Sequence, residues 1–118
     1  QEINLDGVII ISTPQEIALQ DVKRGIRMFD KLKVKILGLI DNMSHFIGDD
    51  GKKYAIFGEG GVKKTADEFK KNFLGEIPID PEVGKQGDLG SPIVESKPEH
   101  EISKIYFKFA EKIKSIYL

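Results

Sequence analysis

The chain has 118 residues, 40% hydrophobic and 31% charged, with 18 Lys and Arg against 19 Asp and Glu, a balance that fits a folded domain and offers no bulk attraction to nucleic acid or anionic lipid. It contains no cysteine, so disulfides, thiolate catalysis and cysteine-ligated zinc or iron–sulfur sites built from this chain are excluded. One core and a single domain over residues 1–118 are expected; no apolar run reaches the ~20 residues that span a bilayer and the start QEINLD is no secretory signal, so a cytoplasmic protein without a membrane partner is expected.

The first element predicted is a strand. Val8-Ile9-Ile10-Ile11 is a continuous β-branched run after Asp6-Gly7, the pattern of a parallel strand buried on both faces. Thr13-Pro14-Gln15-Glu16 then has the form of a capping box, with the hydroxyl at the N-cap, proline at N1 and glutamate at N3. Ala18, Leu19, Val22, Ile26, Phe29 and Leu32 follow at helical spacing, with mostly charged residues between them. Val34 and residues 36–40 give a second apolar strand ending at Asp41-Asn42, so a βαβ unit is predicted.

Beyond it, Phe46-Ile47 and Tyr54-Ala55-Ile56 are expected to be the arms of a hairpin turning at Asp50-Gly51. The cluster Gly58-Glu59-Gly60-Gly61 precedes a short helix over residues 62–71 with Ala66 and Phe69 inward; its glycines could offer N–H groups to an anion, but Glu59 would repel one, and a tight helix-entry turn is the reading adopted. A third strand covers residues 73–77 and stops at Pro78. Asp80-Pro81-Glu82 caps a further helix, kept short by Gly84, Gly87 and Gly90. Ser96-Lys97-Pro98-Glu99 repeats the capping-box form before a last amphipathic helix with the stripe Ile102, Ile105, Tyr106, Phe109, Ile113, Ile116 and Tyr117.

The fold class is therefore α/β, three layers, a mostly parallel sheet with flanking helices. The run from Val8 to Ile11 has no charge, proline or polar alternation to protect an open edge, so cover from outside these residues, a further half or a partner chain, is expected. Ligands of open parallel sheets bind beyond the carboxyl ends of the strands. Three loops fall there: Ser12-Thr13-Pro14-Gln15, Asp41-Asn42-Met43-Ser44 and Pro78-Ile79-Asp80-Pro81, all with groups able to read a base or a sugar. There is no G-x-x-x-x-G-K-[ST] loop, so phosphoryl transfer cannot be assembled from this chain alone. Asp49-Asp50-Gly51 lacks the remaining ligands of a calcium loop, no hydrolase triad is visible, and His45 and His100 are expected to be surface imidazoles.

In order and spacing, LDGVIIISTPQEIAL, ILGLIDNMSHF, IFGEGG, FLGEIPIDPEV and GDLGSPIV resemble the C-terminal half of the Mrp/ApbC family, MinD-like deviant Walker P-loop ATPases regarded as iron–sulfur cluster carriers. The resemblance runs from about Leu5 to Val94 and implies part of a P-loop NTPase fold lacking the half that bears the phosphate loop. It implies that Asn42 contacts adenine and that Pro78, Ile79 and Asp80 form the I-P-x-D loop walling adenine and ribose, with Thr13, Pro14 and Gln15 near the nucleotide and a dimer interface. ATP would be the ligand, with magnesium held through the missing N-terminal half, and the partner would be a second copy or that P-loop-bearing half. The chain alone is not expected to hydrolyse ATP.

Two positions depart from the family. Where most members carry a C-x-x-C pair whose cysteines bind a shared cluster, this chain has Gly48-Asp49-Asp50-Gly51-Lys52-Lys53, so it cannot ligate an iron–sulfur cluster in that way. Gly84 stands where arginine is usual. The function expected is the C-terminal part of an ATP-binding protein of iron–sulfur cluster assembly or transfer, supplying the adenine side of the nucleotide site and part of a dimer interface. The alternative is a non-catalytic interaction or dimerisation module without nucleotide or cluster.

Overall fold

The computed structural model describes residues 7–117; Leu5, Asp6 and the rest of the start QEINLD lie outside the described residues. In chain order the elements are β1 (Val8–Ser12), α1 (Glu16–Lys31), β2 (Ile36–Asn42), β3 (Phe46–Ile47), β4 (Lys53–Tyr54), α2 (Gly61–Glu68), β5 (Phe73–Ile77), α3 (Pro81–Asp88), a one-turn α4 (Ile93–Ser96) and α5 (Glu101–Tyr117). β1, β2 and β5 pair in parallel with β2 in the centre, while β3 and β4 form a separate antiparallel hairpin.

Alternation along the strands divides the core in two. Leu39 of β2 packs with Val22 and Ile26 of α1 and with Val62 and Ala66 of α2. Its neighbour Ile40 points the other way, into a cluster with Leu74, Ile77, Ile93, Ile102 and Phe109 beneath α4 and α5. The layers are thus α1 and α2, then the sheet, then α3 to α5.

A register shift between Leu39 and Ile40 sets Leu39 opposite Phe73 but Ile40 opposite Gly75. Gly75 sits at φ +145°, and a Cβ there would lie 2.7 Å from Cε1 of Phe109, so the ring of α5 rests on bare backbone. α5 is also fastened by polar groups. Lys112 Nζ donates to the Leu74 carbonyl at 2.6 Å and the Tyr117 hydroxyl to that of Leu37 at 2.8 Å. Lys112, on the charged side of an amphipathic helix, is therefore a strand anchor.

β1 is not buried on both faces. Val8 and Ile10 pack toward α1, but Ile9 and Ile11 are 37% and 54% exposed, because α5 covers β5 and β2 and stops short of β1. β1 is one edge of the described sheet, with no strand paired on its far side among the described residues.

Two of the three predicted caps form differently. Gln15 takes the N-cap of α1 in an extended conformation, ψ 142°, which leaves Pro14 outside the helix and the Thr13 hydroxyl 3.4 Å from the Gln15 side-chain oxygen instead of on a helix N–H. Ser96 ends α4 instead of opening α5; its hydroxyl lies 3.1 Å from the Pro92 carbonyl, one turn back. α5 is capped by His100, whose Nδ1 accepts the N–H of Ile102 at 3.1 Å. Asp80 does cap α3, Oδ1 accepting the Glu82 N–H at 2.9 Å, with Pro81 in the first turn. α2 begins after Gly60 in the left-handed region, φ 72°, and Gly61 lies so close to α1 that a Cβ would be 2.6 Å from Leu19 Cδ1, as a tight entry turn requires.

Gly75→Ala adds a methyl group against Phe109 and forces a residue with a side chain to positive φ. A loss of about 2–4 kcal/mol in urea-unfolding stability is expected; an unchanged midpoint would contradict the close approach of α5 to β5.

Candidate functional site

The loops that follow β2 and β5 are zipped together beyond the end of the sheet. Met43 adopts a left-handed conformation, φ 56°, rare for a residue with a side chain, and this turns the chain sharply after β2. Ser44 N–H then donates to the Ile77 carbonyl at 3.0 Å, and Ile79 N–H donates to the His45 carbonyl at 2.7 Å. The Ser44 hydroxyl lies 2.6 Å from His45 Nδ1. Strand pairing in effect continues past the last sheet residues.

The zip brings Asn42, Pro78, Ile79 and Asp80 to the wall of one cavity of about 380 Å³, in the size range of small-molecule sites. Met43, Ile77, Pro81, Val83, Gly84 and Tyr106 complete it. The surface is mainly apolar. Asn42 Oδ1 accepts the Met43 N–H at 3.0 Å, which orients the amide and leaves its NH₂ to donate and one oxygen lone pair to accept. A flat heteroaromatic ring with both donor and acceptor edges fits such a slot, between prolines, isoleucines and a tyrosine, and the residues present therefore suit a purine base.

Thr13 does not join this cavity. With Ser12, Ile10, Ile11 and Asp21 it lines a separate hollow of about 440 Å³ at the β1 edge under α1. Pro14 lies between α1 and α2, so of the three sequence-predicted loops the structure joins two.

On the opposite face of the same strand ends lies a polar row missed by the sequence reading. Ser12, Asp41 and Glu76 occupy neighbouring register positions on β1, β2 and β5. Asp41 is only 1% exposed, and its Oδ1 has no hydrogen-bond partner among the described residues. Burial, and then the negative charge of Glu76, push its carboxyl up to about 6, with Lys53 pulling the other way. Lys53 Nζ is 3.3 Å from Glu76 Oε2, so the hairpin supplies the counter-charge of this row.

His45 is not a surface imidazole either. Burial first, and then Lys53, hold its pKa below the ordinary value, so its 3.6 Å approach to Glu76 is not an ion pair at neutral pH. A buried carboxylate is visible in sequence only as an acidic residue ending an apolar strand, a weak signal. Among the described residues no group of three or more His, Cys, Asp or Glu side chains is placed to hold a metal ion, and no helix is long and apolar enough to cross a membrane.

Comparison with known proteins gives a consistent set of likenesses. A family model described as ParA, NUBPL iron-transfer P-loop NTPase, matches residues 1–114. The iron–sulfur cluster carrier protein of Aquifex aeolicus is 41% identical over 117 residues, 98% of this chain but 32% of that protein. This chain thus spans about a third of the length of the curated relatives it matches. Among solved structures, a nucleotide-binding protein from Archaeoglobus fulgidus in complex with ADP superposes with a TM-score of 0.62 at 38% identity, covering 72% of this chain and 35% of the other. The cell division ATPase MinD of Pyrococcus furiosus superposes with a TM-score of 0.71 over 94% of this chain and 43% of its own, at 23% identity, a likeness of fold.

The polar row gives a pH dependence with a definite sign. Folded Asp41 holds its proton up to about 6, against an ordinary 3.8, so its contribution to stability is full below 3.8 and is lost as pH rises through about 6. Asp41→Asn is neutral throughout. It is expected to raise unfolding stability by about 1–3 kcal/mol near pH ~8 and by much less near pH ~4.5; equal gains at both would show that Asp41 is not buried as a charge.

Proposed function

Because the chain belongs to the ParA family of P-loop NTPases, in the group described as NUBPL iron-transfer proteins, we propose that it supplies the adenine-facing side of an ATP site in a cytoplasmic iron–sulfur cluster carrier. The observation that carries this reading is the convergence of Asn42, Pro78, Ile79 and Asp80 on one apolar cavity at the carboxyl ends of β2 and β5. A 38% identical protein of known structure holds ADP, which supports the same ligand class here.

Asn42 is the reading group. Its amide, fixed by the Met43 N–H, presents a donor and an acceptor to the edge of the base. The rings of Pro78 and Pro81 and the side chains of Ile79, Val83 and Tyr106 exclude water from its faces. Gly84 leaves room, since nothing lies within 4 Å of a Cβ placed there. The residues here that fit a nucleotide suit its base; the phosphates and their magnesium would be held by a P-loop-bearing half of a longer protein or by a partner, and magnesium supplies charge neutralisation at the phosphates when bound. Any iron–sulfur cluster is cargo for which this chain contributes no thiolate.

A second reading, a non-catalytic interaction or dimerisation module, is favoured by the β1 edge, which no strand covers among the described residues, with Ile9 and Ile11 exposed beside it. Both readings require cover for that edge. Light scattering at high concentration is therefore expected to show dimers or larger species; a clean monomer would count against an interface there.

For the chain alone, ATP hydrolysis is expected to be undetectable and calorimetric affinity for ATP or ADP weaker than micromolar, with Asn42→Ala weakening it by at least about fivefold. Binding of ADP should shift the amide resonances of Met43 and Ile79. No shift at millimolar ADP would sink the nucleotide reading in favour of the interaction module.

A further inference from the structure

His100 lies outside the cavity, yet it bridges the two helix starts that flank the cavity wall. Its Nδ1 accepts the Ile102 N–H at 3.1 Å, while its own carbonyl accepts the Lys104 N–H at 3.0 Å, so it is the N-cap of α5. With Nδ1 occupied as an acceptor, the neutral ring carries its proton on Nε2. That nitrogen lies 3.5 Å from Asp80 Oδ2. Oδ1 of the same carboxylate caps α3 through the Glu82 N–H at 2.9 Å.

One carboxylate thus holds α3 with one oxygen and meets the cap of α5 with the other. Around it, Lys97 Nζ is 2.7 Å from Glu82 Oε1 and Gln86 Nε2 donates to that same oxygen at 2.7 Å, so the first turn of α3 is tied to the segment leading into α5. α3 needs such ties. It has only eight residues, two of them glycines, and little intrinsic tendency to hold its shape.

We propose that His100 is a positioning residue for the nucleotide loop: by holding Asp80 it fixes the conformation of residues 78–80 and the entry of α3, and so the wall of the cleft. The proposal rests on the nucleotide reading above for its functional consequence, and on the bridge geometry alone for its structural one.

His100→Ser separates the two roles, because a serine hydroxyl still caps α5 but cannot reach Asp80. His100→Gln restores an N–H donor on a longer side chain. In ADP titrations of the isotope-labelled chain followed by amide resonances, His100→Ser is expected to weaken ADP binding by roughly fivefold to tenfold. It should shift the amides of Ile79, Asp80 and Glu82 and leave those of the α5 interior in place, with His100→Gln recovering a substantial part of both changes. Unchanged affinity together with unchanged amides over residues 79–82 in His100→Ser would overturn the proposal. If the unsubstituted chain binds no ADP, the nucleotide reading fails by itself; the bridge is then decided by the amides, whose movement in His100→Ser supports it and whose constancy overturns it.

Discussion

Two backbone hydrogen bonds beyond the sheet, Ser44 to Ile77 and Ile79 to His45, hold the cleft-bearing end of this molecule together. They form because Met43 accepts a left-handed backbone, which turns the chain after β2 back across the end of β5. Without that turn Asn42 and Pro78 would end two neighbouring strands and share nothing more. With it, residues 42–45 and 77–80 form one rim, which borders the cleft and runs beside the polar row of Ser12, Asp41 and Glu76. Strain at one residue is offset by hydrogen bonds that fix eight.

The two faces of that rim have different physics. Asn42 and Ile77 point to the α5 side, where apolar walls and one oriented amide suit a planar polar ring. Asp41 and Glu76 sit side by side in register, a buried carboxyl next to a carboxylate that pairs with a lysine of the hairpin. Alternation along a strand puts adjacent residues in opposite environments, so Asp41 and Asn42 serve unlike purposes one residue apart. The hairpin is electrically coupled to the sheet through Lys53 and Glu76. A change of charge at Asp41 is felt where the hairpin joins the sheet.

Much of this was legible in the residues. The strands, the amphipathic α1 and α5, the hairpin at Asp50-Gly51 and the Asp80-Pro81 cap follow from period, β-branching and turn chemistry, and the loop motifs alone point to the family. Local rules failed where tertiary contacts decide. The Thr13 and Ser96 boxes have the right spelling, but the backbone at Gln15 is extended and Ser96 is drawn back toward Pro92. The sequence around His100 does not reveal its contact, because Asp80 is twenty positions away. Ile9 and Ile11 have the pattern of a buried strand because that pattern reports what a position is suited to contact, whereas their exposure reports only what the described residues place there.

The hairpin carries a consequence of another kind. It closes on itself: Gly48 N–H donates to the Lys52 carbonyl, Gly51 N–H to that of Gly48, and Asp50 accepts from both the Lys52 N–H and the Tyr54 hydroxyl. No core residue of either cluster belongs to it. A segment that satisfies its own backbone and contributes nothing to the interior can change its tip without asking the scaffold to adjust. It is a cassette: substitutions at residues 48–52 can alter its charge while strands, helices and cleft stay as they are.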